Sequence, residues 1–326
     1  MYKKIFSLML GFMILLTACS GSQVTNEAGT LQKIKLPMGY IPNIQYAPFY
    51  VAVDKGYFAE EGIEIEFDYS FETDGVGLVG AGELPFVVAS GEQVLLARAQ
   101  GLPVVYAFAW YQQFPISIVT AAELNVNEPR DLRGKTIGLP GLFGANYIGA
   151  QALLFADDVN PNEVTFNAIG FNQVEAFASG QSDVVVVYTA NEPIVLRSQG
   201  FDLNELRVAD YAQLIANGIV TNEDTIANNP ELIQSFTRAF AKGIADTIAN
   251  PEEAYQISLK FVENLKDQDK DVQMQVLTTS IEFWQAERIG FSNPQAWENM
   301  NELLVKMELI PEPIDLSQAF TNEFVP

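Results

Sequence analysis

The chain of 326 residues contains no histidine, and its one cysteine is Cys19, close to the amino terminus. Histidine is the side chain most used as a general base near neutral pH, and it is the commonest metal ligand. Its absence excludes Ser-His-Asp hydrolysis, Cys-His proteolysis and most zinc chemistry, so we expect no catalytic residue, no metal site and no cofactor. A glycosidase that uses two carboxylates needs no histidine and stays open as an alternative from another functional class. Its acidic candidates are Glu72, Asp74, Glu92 and Glu192.

Basic residues are also scarce. The chain has 18 Lys and Arg against 41 Asp and Glu, which gives a formal net charge of −23. A chain this acidic repels the phosphates of nucleic acids and the headgroups of anionic lipids. It also disfavours small anionic ligands, unless a local cation or a helix N-terminus offsets the negative potential. The composition therefore predicts no nucleic-acid partner and a neutral or weakly polar ligand.

The amino-terminal apolar run, residues 5–16, is about a dozen residues long, short of the roughly 20 that a membrane-spanning helix needs. It follows two lysines and leads into the tetrapeptide LTAC, which ends at Cys19. This order is typical of an export signal, and the position of the cysteine resembles a bacterial lipoprotein signal; an ordinary signal peptide is the alternative. The sequence therefore predicts a signal peptide at 1–18, lipid on Cys19, a tether at 19–30, and anchoring to the cell membrane outside the cytoplasm.

From residue 33 onward, short apolar runs alternate with helical stretches, which is typical of an α/β protein with largely parallel sheets. The predicted strands are 33–38, 63–69, 84–89, 103–109, 116–120, 136–139, 164–169, 184–188 and 206–208. The predicted helices among them include 93–100, 145–156, 173–179 and 193–199. After about Asn222 only helices are predicted. Three of them begin at Asn-Pro pairs, at 229, 250 and 293, because asparagine caps a helix and proline suits its first position.

This order of elements predicts a two-lobed α/β fold with a hinge and a helical carboxyl-terminal segment. The first lobe, 31–120, is interrupted by a second lobe at 121–216 and completed by 217–326. In such folds, ligands bind at the carboxyl ends of strands, where the loops converge. The candidate site therefore lies in the loops that follow the predicted strands.

These loops are rich in aromatic residues and contain no lysine or arginine. Aromatic faces are suited to stacking a flat ligand, while amides, hydroxyls and carboxylates can bind its polar edge. The candidate ligand-binding residues are Asn43, Tyr46, Phe71, Asp74, Ser90, Glu92, Trp110, Gln112, Phe143, Tyr147, Asn172, Tyr188 and Glu192. For each aromatic residue, packing in the core is the alternative role; Phe143 and Trp110 are favoured as cleft residues over Tyr46. The loops predict a small flat heterocyclic ligand, stacked on Trp110 or Phe143.

Five segments resemble the solute-binding proteins of ABC importers for thiamine precursors, alkanesulfonates and related compounds. They are MGYIPN at 38–43, APFYVA at 47–52, KGYFAEEGI at 55–63, DLRGKTIG at 131–138 and NQVEAFASG at 172–180. The resemblance implies two lobes that close about a hinge on one ligand molecule. It also implies an ABC permease and its ATPase as partners, and ligand binding for transport without catalysis.

Within this family, the resemblance is strongest to the branch that binds vitamin-like heterocycles, and in particular to the riboflavin-binding lipoproteins of riboflavin importers. The segments that carry it are 71–79, 110–111, 141–147 and 188–193. It implies riboflavin as the transported ligand, with a thiamine-precursor pyrimidine as the alternative and an alkanesulfonate as a less favoured one. Pyrimidine synthases of the same fold carry histidine and a cysteine-rich iron motif, and neither occurs in this chain.

Overall fold

The computed structural model describes residues 31–326. Cys19, the proposed signal peptide at 1–18 and the whole tether at 19–30 lie outside the described residues. The lipid modification therefore stays a prediction. Between residues 31 and 326, no helix combines the length and the apolar character that crossing a membrane requires.

The strands of the described part of the chain form three sheets. The strands are β1 (Gln32–Gly39), β2 (Ile63–Phe71), β3 (Val87–Ser90), β4 (Val104–Ala109), β5 (Ile116–Ala121), β6 (Thr136–Leu139), β7 (Thr165–Ala168), β8 (Val184–Tyr188), β9 (Leu203–Arg207) and β10 (Asn217–Asn222). Strands β1 and β2 pair in parallel, β3-β10-β4 form a second sheet, and β7-β6-β8-β5-β9 form a third. All nine predicted strands are present, although the one predicted at 206–208 is the end of β9, and β10 was not predicted.

Twelve helices cover and connect these sheets within residues 31–326. They are α1 (Ala47–Asp54), α2 (Tyr57–Glu60), α3 (Glu72–Gly80), α4 (Gly91–Ala99), α5 (Gly144–Ala156), α6 (Gln173–Ala178), α7 (Glu192–Ser198), α8 (Glu223–Asn228), α9 (Pro230–Ala249), α10 (Pro251–Ser258), α11 (Lys270–Trp284) and α12 (Pro294–Lys306). The three predicted Asn-Pro starts are confirmed at α9, α10 and α12. The Asn293 side chain caps α12 by accepting a hydrogen bond from the backbone N–H of Gln295 at 2.9 Å.

The prediction of largely parallel sheets is wrong for β5 and β10. β10 runs antiparallel to β3 and β4, and β5 runs antiparallel to β8 and β9. Each follows a connection between sheets, so it enters its sheet from the end at which the neighbouring strands finish. Asn217, the first residue of β10, therefore pairs with Ser90, the last of β3. In the same way, Ile116 at the start of β5 pairs with Tyr188 at the end of β8.

We call the sheets of β1–β4 and β10, with the helices packed on them, lobe 1, and the five-stranded sheet with its helices lobe 2. The sequence predicts that lobe 1 extends to residue 120, which would place β5 in lobe 1. Strand β5 instead pairs with β8 and β9 and therefore belongs to the lobe 2 sheet. The passage between the sheets therefore lies before Ile116. The other predicted lobe boundaries stay predictions.

The carboxyl-terminal helices pack on lobe 1, because α9 lies against α1. The rings of Phe49 in α1 and Phe240 in α9 stack with their centroids 4.0 Å apart. At Gly243 the two helices come so close that a β-carbon would overlap the carbonyl oxygen of Pro48. This packing holds α1, and with it the short 3₁₀ turn Ile44–Tyr46 that precedes α1 in the candidate site.

Candidate functional site

Two adjoining cavities lie between lobe 1 and lobe 2, with about 530 Å³ of free space in the first and about 600 Å³ in the second. Their shared wall residues are Gly39, Tyr40, Glu72, Tyr188 and Glu192. The two cavities therefore form one cleft, which residues of both lobes line.

The first cavity is lined by buried and half-buried polar side chains together with aromatic ones. Its other wall residues are Met38, Asn43, Gln45, Tyr46, Val88, Trp110, Tyr111, Asn191 and Asn217. The hydroxyl of Tyr188 donates a hydrogen bond to Oδ1 of Asn217 at 3.4 Å, which links β8 of lobe 2 to β10 of lobe 1. Nε2 of Gln45 donates to the Ser280 hydroxyl at 3.2 Å. Amide and hydroxyl groups are thus held at this wall, where they can bind the polar edge of a ligand.

Trp110 lies at the centre of a buried aromatic cluster, which we define as Tyr46, Phe49, Trp110, Tyr111 and Trp284. Its ring is near-parallel to those of Tyr46 and Trp284, at centroid distances of 5.6 and 5.8 Å, and it meets Phe49 and Tyr111 edge to face. Only 3% of Trp110 is exposed. Both ring faces pack near-parallel rings of the protein, which leaves little surface for a ligand, and stacking of a ligand ring on Trp110 stays a prediction. Trp110 contributes its remaining edge to the first cavity.

The second cavity is aromatic, and its rings come from both lobes. Its other wall residues are Phe71, Thr73, Pro140, Phe143, Gly144, Ala145, Asn146, Phe171 and Gln173. Phe71 and Phe143 are 54% and 49% exposed, far more than any ring of the buried aromatic cluster. Phe171 of lobe 2 contacts two rings of lobe 1: Phe71 near-parallel at 6.3 Å and Tyr40 edge-on at 5.0 Å. Free aromatic faces are therefore available here.

The position of Phe143 depends on Gly141. A β-carbon at Gly141 would overlap the Phe143 ring, so the missing side chain lets the ring lie over the loop backbone. Gly144 then begins α5 with a φ of +68°, a left-handed conformation that glycine adopts without strain. The two glycines explain why this loop can present one ring face to the cleft while its other face packs on the protein.

A buried glutamate, Glu92, and a half-buried one, Glu72, meet at Ser90, next to the cleft. The backbone N–H of Ser90 donates to Glu72, and the Ser90 hydroxyl donates to Oε1 of Glu92. Oε2 of Glu92 is buried without a hydrogen-bond partner. Burial and the nearby Glu72 raise the pKa of Glu92 to about 8, and burial raises the pKa of Glu72. Glu92 therefore lies behind the wall, and Glu72 forms part of it.

A third glutamate, Glu192, lines both cavities from lobe 2. Its Oε2 accepts a hydrogen bond from the backbone N–H of Tyr188 at 3.0 Å. Burial raises the pKa of Glu192 to about 7. Burial also raises the pKa of Tyr188 well above its usual value, so its phenol remains a hydrogen-bond donor. The cleft thus offers one glutamate side chain from each lobe as a hydrogen-bond acceptor: Glu72 from lobe 1 and Glu192 from lobe 2.

The predicted site residues divide into three groups. Those that line the cleft are Asn43, Tyr46, Phe71, Trp110, Phe143, Tyr188 and Glu192. Ser90 and Glu92 are fully buried behind it. Those that line neither cavity are Asp74, Gln112, Tyr147 and Asn172. The prediction of these four as ligand contacts is not supported by their positions.

Each of these four residues is placed elsewhere for a local reason. The side-chain amides of Gln112 and Asn172 donate to carbonyl oxygens three residues back, at 3.1 and 3.2 Å, and so turn towards their own loops. Tyr147 lies on α5, where its hydroxyl accepts from Gln151 at 3.0 Å. Asp74 is exposed in the first turn of α3.

Some wall residues were not predicted. Asn217 was not predicted because it is the first residue of β10, whereas the predicted site lies in the loops that follow strands. The short β-branched run after it, GIVT at 218–221, was the available signal. Tyr40 and Phe171 lie in the same loops as predicted residues, but nothing in the sequence sets them apart. Their contact across the cleft is a property of the folded chain.

The cleft carries no basic side chain among its wall residues in the described part of the chain. Nor do residues 31–326 bring together three or more carboxylates in an arrangement that could hold a metal ion. What the walls do provide is aromatic surface, neutral amides and hydroxyls, and carboxylates. That set suits a flat, uncharged ligand with several hydrogen-bonding groups.

Comparison with known proteins identifies relatives of the whole chain. Residues 43–254 match the family described as NMT1/THI5 like. The chain is 43% identical to the riboflavin-binding protein RibY of Chloroflexus aurantiacus, in an alignment that covers 99% of this chain and 98% of that protein. It is 27% identical to the formylaminopyrimidine-binding protein of Halalkalibacterium halodurans, with 98% of each chain covered.

Solved structures confirm the fold predicted from the sequence. The periplasmic aliphatic sulphonate binding protein SsuA of Escherichia coli matches with a TM-score of 0.72 and 13% identity, over 89% of this chain and 92% of that one. At that identity the likeness shows the fold alone, the two-lobed α/β fold of periplasmic binding proteins. Because the family match covers more than half of the chain and a 43% identical relative covers nearly all of it, the chain belongs to the NMT1/THI5-like family.

Proposed function

We propose that this chain is the substrate-binding lipoprotein of an ABC importer, and that it captures riboflavin outside the cytoplasmic membrane and delivers it to the permease. The observation that carries the proposal is the cleft, which is aromatic, free of basic side chains and lined by both lobes. The 43% identity to a riboflavin-binding protein supports the choice of ligand.

The flat tricyclic ring of riboflavin suits the second cavity. Phe71 of lobe 1 and Phe143 of lobe 2 each expose about half of their surface there, at 54% and 49%. A ring that covers both faces removes apolar surface from water and gains stacking geometry. The sugar-alcohol chain and the ring edge carry donors and acceptors that match Asn191, Asn217 and Glu192 in the first cavity.

Delivery follows from a ligand that touches both lobes. A ligand shifts the balance between open and closed forms only by its differential affinity for them. Glu72 on lobe 1 and Glu192 on lobe 2 line the same cavities, so a bound ligand contacts both lobes at once and favours closure. The closed, loaded form is then the species that the permease and its ATPase receive.

We further propose that the cleft binds its ligand without chemical change. Glu92 is sealed behind the wall and cannot reach a substrate. Glu72 and Glu192 reach the cleft, but backbone N–H groups of Ser90 and Tyr188 occupy one lone pair on each. A panel of chromogenic glycosides tests the glycosidase alternative. Turnover that is abolished by Glu72→Gln or Glu192→Gln would contradict the binding function.

Titration calorimetry with riboflavin, the thiamine-precursor aminopyrimidine, taurine and nitrate tests the ligand. We expect riboflavin to bind most tightly, because the aromatic surface of the second cavity is large and the cleft offers no cation to an anion. The formylaminopyrimidine-binding relative makes the pyrimidine the second candidate. Tight binding of taurine or nitrate, with none of riboflavin, would overturn the proposal.

The membrane anchor is a separate part of the proposal. We expect lipid on Cys19 to hold the protein at the cell membrane, since the apolar run before it is too short to span a bilayer. Cys19→Ser should release intact protein from the membrane fraction. If the variant stays with the membranes after a high-salt wash, the anchor lies elsewhere.

A further inference from the structure

Four of the helices that begin at the cleft or directly behind its wall, α3, α4, α5 and α7, have a carboxyl group of the protein at or near the N-terminus. Helix N-termini carry partial positive charge and free N–H groups, so they are the places where a cation-free cleft could hold an anion. Here α3 and α7 begin at Glu72 and Glu192, and Glu92 is the second residue of α4. Three of these four helices thus carry a glutamate of their own in the first turn.

The fourth helix, α5, also faces a carboxylate, from the opposite lobe. Gly144 begins α5, and a β-carbon built on it would lie 3.8 Å from Oε2 of Glu72. The same glutamate packs on Gly39, whose β-carbon position is 3.3 Å from the Glu72 β-carbon. Glu72 therefore lies between β1, Ser90 and the start of α5.

From these contacts we propose that Glu72 and Glu192 are specificity-determining residues that make the cleft select the free alcohol of its ligand and reject the phosphate monoester. The inference rests on the proposed riboflavin function and extends it to the phosphorylated vitamin. A phosphate monoester carries roughly −1.5 to −2 charges near pH 7. In this cleft it meets a glutamate from each lobe and no Lys or Arg. Burial raises the pKa of Glu72 and raises that of Glu192 to about 7, so the like charge that opposes the phosphate grows as the pH rises.

The test compares three flavins on the full-length chain, purified in mild detergent, by calorimetry or flavin fluorescence at about pH 8.5, above the raised pKa of Glu192. They are riboflavin, its 5′-phosphate and its 5′-acetate, which adds bulk at the same position without charge. We expect the phosphate to bind about a hundredfold or more weaker than riboflavin, because like charges juxtaposed in a binding site cost several kcal/mol. The acetate should stay within about tenfold of riboflavin.

Two variants assign the effect to the named side chains. Glu72→Gln and Glu192→Gln each keep the shape and remove one negative charge, so each should narrow the ratio of riboflavin to phosphate affinity by about tenfold. Glu298→Gln is the matched control, because Glu298 is exposed on α12 and lines neither cavity. The melting temperature of each variant, compared with that of the parent chain, shows that it is folded.

Each outcome decides between the inference and the proposed function. Equal affinity for riboflavin and its phosphate overturns the inference and leaves the function standing. If the acetate ester binds as weakly as the phosphate ester, the cleft excludes both by size, and the inference is also overturned. A ratio that stays unchanged in both glutamine variants overturns the assignment to Glu72 and Glu192. No binding of any flavin overturns the proposed function itself.

Discussion

Two sets of aromatic side chains meet at the cleft, and they differ in what covers them. In the buried aromatic cluster, Trp110 is 3% exposed and packs against rings on several sides. At the second cavity, Phe71 and Phe143 are about half exposed. Trp110, Phe71 and Phe143 each lie at the end of a strand or in the loop that follows one, so their positions in the sequence look alike. A ring already covered by protein contributes to stability, whereas an uncovered ring has surface left for a ligand.

The same contrast applies to the carboxylates. Glu92 is fully buried with one oxygen unpartnered, whereas Glu192 lines both cavities. A buried charge without a partner destabilises the folded state, and the group responds by a raised pKa. Like the rings of the buried aromatic cluster, Glu92 is therefore expected to affect the free energy of unfolding. Like the exposed rings, Glu192 is expected to affect the affinity for the ligand.

The largest expected effect separates the two sets of rings by stability. Trp110→Ala should lower the free energy of unfolding by about 3–5 kcal/mol, because it leaves a large cavity inside the buried aromatic cluster. Phe143→Ala should change it by no more than about 0.5 kcal/mol, as expected at an exposed position. Urea denaturation measures both. Equal losses in the two variants would show that the distinction between the sets is wrong.

A second difference appears as a dependence of stability on pH. In the folded protein the pKa of Glu92 is about 8, whereas the ordinary pKa of a glutamate side chain is about 4.5. The folded state therefore binds the proton more tightly, and this contribution to stability is complete below pH 4.5 and lost as the pH rises through about 8. For one group the slope is at most about 1.4 kcal/mol per pH unit.

Glu92→Gln isolates that contribution. We expect the variant to lose less stability than the parent chain between pH 6 and pH 9, because glutamine does not ionise. Melting temperatures across this range, compared with those of Glu298→Gln, measure the difference. Parallel pH profiles for the parent and Glu92→Gln would show that the buried carboxylate is not a source of the pH dependence.

The smallest expected effect is on ligand affinity at the exposed rings. Phe71→Ala and Phe143→Ala should each weaken riboflavin binding by about 1–3 kcal/mol, by analogy with bases stacked on aromatic side chains. Leu142→Ala is the matched control, since Leu142 is 59% exposed beside Phe143 but lines neither cavity. Calorimetry measures the three affinities. A loss at Leu142 as large as that at Phe143 would mean that the loop, and not the ring, is what matters.

Several features could be predicted because they depend on short stretches of sequence. The starts of α9, α10 and α12 follow from Asn-Pro pairs, where capping and the fixed φ of proline act within a few residues. Strands β6 and β8 follow from compact apolar runs, and their predicted bounds are those of the structure. The scarcity of positive charge in the cleft also follows from composition, because few basic residues exist to be placed there.

Other features depend on residues far apart in the chain. Strand β10 has a short apolar run that resembles a loop until β3 and β4 bind it on both sides. The burial of Trp110 requires Trp284, which lies 174 positions later in the numbering and reaches it only through the packing of α11. No local pattern distinguishes Trp110 from Phe143, since both follow a predicted strand and both neighbour polar loop residues.

By itself, the sequence determined the class of the protein: an α/β chain with helical carboxyl-terminal segments, no histidine chemistry, strong negative charge and the motifs of its family. Composition needs no knowledge of the fold, and helix starts depend on only a few neighbouring residues, so both can be read from the sequence. Only the tertiary structure decided which rings are free, which carboxylates face the cleft, and that β5 and β10 run against their neighbours. Exposure is what remains after every other residue has packed, and it is therefore a property of the whole fold.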